Sequence, residues 1–320
     1  MDNFTHSLAG WALGQAGLKT RSRKGLAALI LGANAPDIDV LFGWSAWAPL
    51  APHRGVTHSL VGGVIVLPLL LTGLLLLLDR WQAKRGENFD SGLAMRPVWL
   101  LALAFLGALT HPLLDLQNSY AVQLLSPFDP GWFHSDGLFI IDVWLWSIIA
   151  FAIWLSRRRE GRGGNWRAPV IAALGLALVY IGSGVAMSAT AKQALLASGA
   201  AQRPDVLVAN PPPALPFRRN LVWREQQRIG RAMWNPVDGI TGVGQTSPDG
   251  MSDPLARRAM TASPAIIAFM RWSIIPTAEV KRRRCDATVT FGDARYGDNR
   301  ARTSFEQSAV LALTRPGCAR

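Results

Sequence analysis

The stretch VGGVIVLPLLLTGLLLLL, residues 61–78, decides the fold. It carries no charged side chain and is close to the roughly 20 residues that an α-helix needs to cross the hydrocarbon core of a bilayer. Runs at 98–109, 138–155 and 170–187 repeat the pattern with almost no charge. Over the whole chain of 320 residues 50% are apolar and only 17% are charged, a balance unusual for a soluble protein. Hydropathy therefore points to a protein integral to a membrane.

Working outward from that stretch, six apolar segments are expected, at about 4–18, 26–42, 56–78, 97–116, 138–156 and 168–188, the first short enough to be re-entrant. Basic residues test whether they alternate across the membrane. Lys19, Arg21, Arg23 and Lys24 follow the first segment; Arg80, Lys84, Arg85 and Arg96 follow the third; Arg157, Arg158, Arg159, Arg162 and Arg167 follow the fifth. The loops after the second and fourth segments hold only Arg54. This asymmetry puts the first set of loops in the cytoplasm and the remaining loops outside, together with everything after segment six. The net charge of +12 is thereby explained without a nucleic-acid partner.

Near residue 189 the composition changes, through an alanine-rich stretch and the prolines of 211–216, to a less apolar region. The expected organisation is a membrane-embedded domain over 1–188, an Ala/Pro-rich linker over 189–217 and an extracytoplasmic domain over 218–320. The fold class is mostly α: a polytopic helical bundle of about five to six apolar segments with a smaller carboxy-terminal α+β or mostly β extramembrane domain. DATVTF (286–291) alternates as a strand does, whereas 220–234 reads equally as helix or strand. Outside the cytoplasm Cys285 and Cys318 are free to pair; two unbonded thiols are the alternative.

All five histidines, His6, His53, His58, His111 and His134, lie in the first 134 residues, beside Asp37 and Asp39 of NAPDID, Asp115 of HPLLD and Asp142 of FIIDVW. An ionised side chain in an apolar segment costs roughly 2.5–3.5 kcal/mol unless paired or ligated. The topology brings these residues to one place. His6, His58 and Asp142 open segments at the outer face, and Asp37, Asp39, His111 and Asp115 close segments there. The charge asymmetry used none of these residues, so the convergence is an independent sign of a single site. His111 and Asp115 are four apart, the spacing that stacks two side chains on one helical face. HRGVTHS (53–59) places two imidazoles across a loop-to-helix junction, with Arg54 positioned to meet an anion. Mixed His/Asp ligation without cysteine suits zinc, manganese or iron. Nine such side chains exceed one tetrahedral sphere, so one to three divalent ions are expected, zinc first. A metal ion there would activate water for hydrolysis, with Asp37 or Asp39 bridging ions or serving as base and Arg54 in the catalytic set.

MDNFTH (1–6), PDID (36–39), HRGVTHS (53–59), HPLLD (111–115) with the following NSYAVQLLSPF, and Asp142 resemble, in order and spacing, the bacterial YdjM family of membrane-bound metal-dependent hydrolases. The resemblance covers residues 1 to about 160 and implies metal ligation by the matched His and Asp positions, with hydrolase activity. His134 matches the family pattern less well than the others. A more distant similarity to zinc-dependent phospholipase C implies a phosphoester substrate, perhaps on a lipid.

The resulting expectation is a metal-dependent hydrolase acting on an ester or phosphoester of a membrane lipid or lipid-linked small molecule at the outer face of a bacterial plasma (inner) membrane. A metal-binding transporter or sensor would use the same ligands without hydrolysis. It should place them at the bilayer midplane, often within an inverted repeat, and no such repeat is visible. A structural scaffold would explain the one-sided clustering least well.

Overall fold

The computed structural model describes residues 1–42, 54–89, 91–296 and 305–313. His53 and Cys318 therefore lie outside the described residues; Cys285 is not a free thiol. The chain divides into two compact units, one of residues 1–41 and 52–186, the other of 42–51 and 187–320.

The first unit contains α1 (Asn3–Gln15), α2 (Gly25–Asn34), α3 (Leu67–Lys84), α4 (Pro97–Asp115), α5 (Val143–Glu160) and the start of α6 (Arg167–Ala197). Side-chain caps start two of them. Asp2 accepts from the amides of Phe4 and Thr5 at the head of α1, and Asp142 accepts from those of Trp144 and Leu145 at the head of α5. At the other end of α5, Arg157, Arg158 and Arg159 fill the last turn, where the helix dipole favours cations. Helix α3 is preceded by a π-helical stretch, Leu60–Val66, capped by the Ser59 hydroxyl, which accepts from Gly62 N at 3.0 Å.

Small residues let α2 and α4 pack backbone to backbone. A Cβ on Gly32 would lie 2.6 Å from the Ala104 carbonyl oxygen, and one on Gly107 would lie 2.3 Å from that of Leu29. Around this seam Ala28, Leu29, Leu75, Leu100, Leu103 and Ala104 form a buried cluster. A second cluster joins α1, α5 and α6 through Leu8, Ala12, Leu145, Ile149, Ile153 and Ala173.

Three helices among the described residues are long and apolar enough to cross a membrane: Leu60–Lys84, Pro97–Asp115 and Arg167–Ala197. This is fewer than the five to six segments expected from hydropathy. At 13 residues α1 would reach only about 20 Å, and α2 ends after 10, where Pro36 helps turn the chain into a 3-10 segment, Ala35–Phe42. Helix α5 spends its last turn on three arginines.

The unit has two chemically distinct ends. At one, the loop after α1 meets the ends of α3 and α5 and the start of α4. Lys19 bonds Glu160 at 2.6 Å, Arg23 grips Asp79 through Nε at 2.8 Å and Nη2 at 2.6 Å, and Ser22 Oγ donates to the Arg96 carbonyl. At the other end lie the histidines and aspartates.

In the second unit β1 (Val206–Asn210), β2 (Arg219–Glu225), β3 (Arg228–Asn235) and β4 (Gly239–Thr241) form an antiparallel sheet in that order, and β5 (Ser247–Pro248) pairs with β3. Helices α7 (Pro254–Ala259) and α8 (Pro264–Trp272) precede a second antiparallel sheet of β6 (Pro276–Arg282), β7 (Asp286–Asp293) and β8 (Glu306–Ala312). Residues 220–234 are thus a β-hairpin, and DATVTF begins β7. The stretch 189–217, expected as a linker, holds the last turns of α6 and all of β1, because Ala191 and Leu195 pack on Leu221, Trp223 and Trp234. Strand β7 alternates strictly, burying Ala287, Val289, Phe291 and Asp293. Asp293 forms two hydrogen bonds with the Arg295 guanidinium, at 2.9 and 2.8 Å.

Candidate metal centre

Five side chains from four stretches of chain converge at the histidine-bearing end of the first unit. His6 comes from α1, Asp37 from the 3-10 segment after α2, His58 from the turn before the π-helical stretch, and His111 and Asp115 from the last turns of α4. Helix α4 continues through Pro112, so the i, i+4 pair does share a face, with His111 Nε2 3.5 Å from Asp115 Oδ2. His58 Nε2 lies 3.1 Å from Asp37 Oδ1 and 3.6 Å from Asp115 Oδ2. His6 Nε2 lies 3.6 Å from Asp115 Oδ1.

Two sets of three have ligand atoms within 4.8 Å of one another and could hold a metal ion: His6, His111 and Asp115, and Asp37, His58 and His111. His111 belongs to both. The chemistry of the donors fits a divalent cation. His6, His58, His111 and Asp115 are fully buried. Both ring nitrogens of His6, and Nε2 of His111, have no hydrogen-bond partner among the described residues. A buried polar atom left so costs about 1–3 kcal/mol, which coordination would recover. The other nitrogen of His111 donates to the Ala33 carbonyl at 2.7 Å, fixing the tautomer that leaves Nε2 as a lone pair facing the cluster.

Asp39 stands one layer further out. Its Oδ2 accepts from the Thr57 hydroxyl at 2.6 Å and lies 3.4 Å from His58 Nδ1, opposite the nitrogen that faces Asp37. Arg54 is buried, with Nη1 donating to Asn118 Oδ1 at 2.9 Å and Nη2 3.2 Å from Asp115 Oδ1. Its backbone is held at φ 63°, a left-handed conformation that costs a non-glycine residue roughly 1–2 kcal/mol. The Met1 amino group also forms an ion pair with Asp115.

Asp142 and His134 belong to neither set. Asp142 caps α5 and accepts from the Tyr180 hydroxyl at 2.9 Å. His134 Nδ1 bonds the fully buried Asp136 at 2.7 Å. His53, next to Arg54 in sequence, is outside the described residues. Sequence reasoning passed over Asn118 and the Thr57 hydroxyl's bond to Asp39; the helix cap after HRGVTHS is Ser59. Asn118 opens the NSYAVQLLSPF stretch that follows HPLLD, so its signal was present in the motif.

A family model described as YdjM inner membrane protein matches residues 1–191. Among curated proteins, the chain is similar to the uncharacterized protein YfhP of Bacillus subtilis, 27% identical over an alignment of 195 residues, with 57% of this chain and 52% of YfhP covered. The chain thus spans about half the length of that relative. No solved structure matches it significantly.

Proposed function

Since the chain belongs to the YdjM family of inner membrane proteins, we propose that it is a membrane-bound metal-dependent hydrolase acting on an ester or phosphoester of a lipid-linked substrate. The observation that carries this reading is the pair of buried Nε2 atoms of His6 and His111 that face Asp115 without a hydrogen-bond partner among the described residues, with a guanidinium 3.2 Å from that carboxylate.

His6, Asp37, His58, His111 and Asp115 would hold one or two ions, and His53 of HRGVTHS is proposed from the sequence as a further ligand. Zinc is the first expectation, with manganese or iron as alternatives, since nitrogen and carboxylate donors without thiolate suit all three. A bound divalent ion supplies Lewis acidity and makes water acidic enough to attack at neutral pH. The chain's own groups do the rest. Ala33 fixes the His111 tautomer, while Asp39 and Thr57 orient His58. Asp37, within reach of both imidazoles, is the candidate proton acceptor. Arg54, fixed by Asn118 and Asp115, presents a rigid positive charge to an anionic oxygen of the substrate.

The basic end of the first unit supports a cytoplasmic placement for the loops at 19–24, 80–96 and 157–167, and with it the reading of a metal centre at the outer face. Helix α6 starts at the basic end, where Gly17 adjoins the Arg167 side chain, and reaches the level of Asp142 at Tyr180. That direction supports an extracytoplasmic carboxy-terminal domain.

The test is hydrolysis by detergent-purified protein across panels of lipid phosphoesters and carboxylesters, before and after chelation and after return of zinc or manganese. Chelator-sensitive, metal-restored hydrolysis is expected, with Arg54→Gln at least about tenfold slower on phosphoesters while keeping its metal. A metal-loaded protein inactive on both panels would contradict the proposal.

A further inference from the structure

A groove of about 500 Å³ runs between α1 and α5, lined by none of the metal centre's side chains, with walls formed by Phe4, Leu8, Ile153 and Trp154. Arg157 and Arg158 close the end nearest the basic loops. Their guanidiniums lie 5.8 Å from the Trp11 ring and 5.1 Å from the Trp154 ring, respectively. The neighbouring carboxylate, Glu160, is taken by Lys19 at 2.6 Å, and no carboxylate neutralises Arg157 or Arg158 among the described residues. Trp11 also lines the groove, and its buried indole N–H has no hydrogen-bond partner among the described residues.

These features specify an occupant. The walls take a hydrocarbon chain. The Trp11 N–H asks for an acceptor a short way below the charged end, at the depth where an acyl ester carbonyl sits. The paired guanidiniums ask for an anion, and would repel an added ammonium. We propose that this groove binds one anionic phospholipid, its phosphate on Arg157 and Arg158, its ester carbonyl on Trp11 and an acyl chain against Phe4 and Leu8. The site is independent of the metal centre and of any hydrolytic activity.

Native mass spectrometry of the full-length protein, delipidated in detergent and then given phosphatidylglycerol, phosphatidylcholine or inorganic phosphate, tests this directly. One retained phosphatidylglycerol is expected, bound about tenfold or more tighter than phosphatidylcholine. Arg157→Gln/Arg158→Gln should weaken it about tenfold. Arg159→Gln/Arg162→Gln, which removes the same charge outside the groove, should leave it within about twofold. Trp11→Phe, which keeps the ring and removes the donor, should weaken it several-fold at unchanged metal content. Equal retention of both lipids, equal loss in the two arginine pairs, or phosphate binding as well as the lipid would each overturn the assignment. The comparison of lipids on wild-type protein decides the matter even where a variant fails to fold.

Discussion

The imidazoles of His6 on α1 and His111 on α4 stack with ring centroids 3.7 Å apart and 16° between their planes. Both turn Nε2 toward the same carboxylate, Asp115, at 3.6 and 3.5 Å. Stacking alone would be served by any flat ring; ligation needs the nitrogens. His6→Phe should therefore preserve folding and α1 packing while weakening zinc binding by more than the roughly 10–100-fold typical of losing an outer-layer partner. Competition with a chelating dye measures it, and unchanged affinity would reduce His6 to a packing role.

The seam between α2 and α4 positions His111, because its Nδ1 must reach the Ala33 carbonyl at 2.7 Å. Gly107 has no room for a side chain, with a Cβ due 2.3 Å from the Leu29 carbonyl oxygen. Gly107→Val should lower the thermal midpoint in detergent, at a cost of about 1–3 kcal/mol for overpacking, and lower metal affinity with it. Gly73→Val, at a helical glycine with nothing within 4 Å of its Cβ, is the control and should do neither.

Arg23 and Asp79 tie the loop after α1 to the end of α3 through two charge-assisted bonds of 2.8 and 2.6 Å. The Asp79 side chain is only 6% exposed, so Asp79→Ala leaves a poorly solvated guanidinium behind. A loss of about 1.5–3 kcal/mol in stability is expected, with metal content retained because the pair sits at the opposite end from the histidines. Partial recovery in the exchanged pair Arg23→Asp/Asp79→Arg would identify the interaction as ionic.

In the second unit burial alone would raise the Asp293 carboxyl, but the Arg295 charge and hydrogen bonds from Arg295 and Ser273 outweigh it and hold the group below its usual range. A depressed folded-state pKa stabilises the fold above the unfolded value of about 3.9, and that contribution disappears as pH falls toward the lower folded value. Fluorescence of the buried Trp272 beside Arg295 should report acid loosening of this unit in wild-type protein. Asp293→Asn should be less stable at neutral pH and show a weaker dependence below about pH 4. An identical acid transition in both proteins would remove Asp293 as its source.

The five converging residues were legible because a charged or ring-nitrogen side chain among apolar neighbours has to find a partner. Helix continuity was not legible to the same degree. Hydropathy records that 4–18 and 26–42 suit lipid, but not that α1 stops before Gly17, at φ 119°, or that α2 gives way near Pro36. Asp142 and His134 share the chemistry of the converging residues, and only the fold commits them to a helix cap with Tyr180 and to Asp136. The β2–β3 hairpin stayed undecided between helix and strand for a local reason. Its turn residues, Gln226 and Gln227, both adopt positive φ, 51° and 62°, where glycine or asparagine would have announced a turn.

Elemental analysis of detergent-purified protein, wild type beside His111→Ala/Asp115→Ala, tests the central claim most directly. The account predicts near-stoichiometric zinc, manganese or iron in the wild type and its disappearance in the double variant, with membrane insertion unchanged. A wild-type protein that stays metal-free after reconstitution would contradict it, and would leave the histidine and aspartate cluster as a hydrogen-bonded joint between helices.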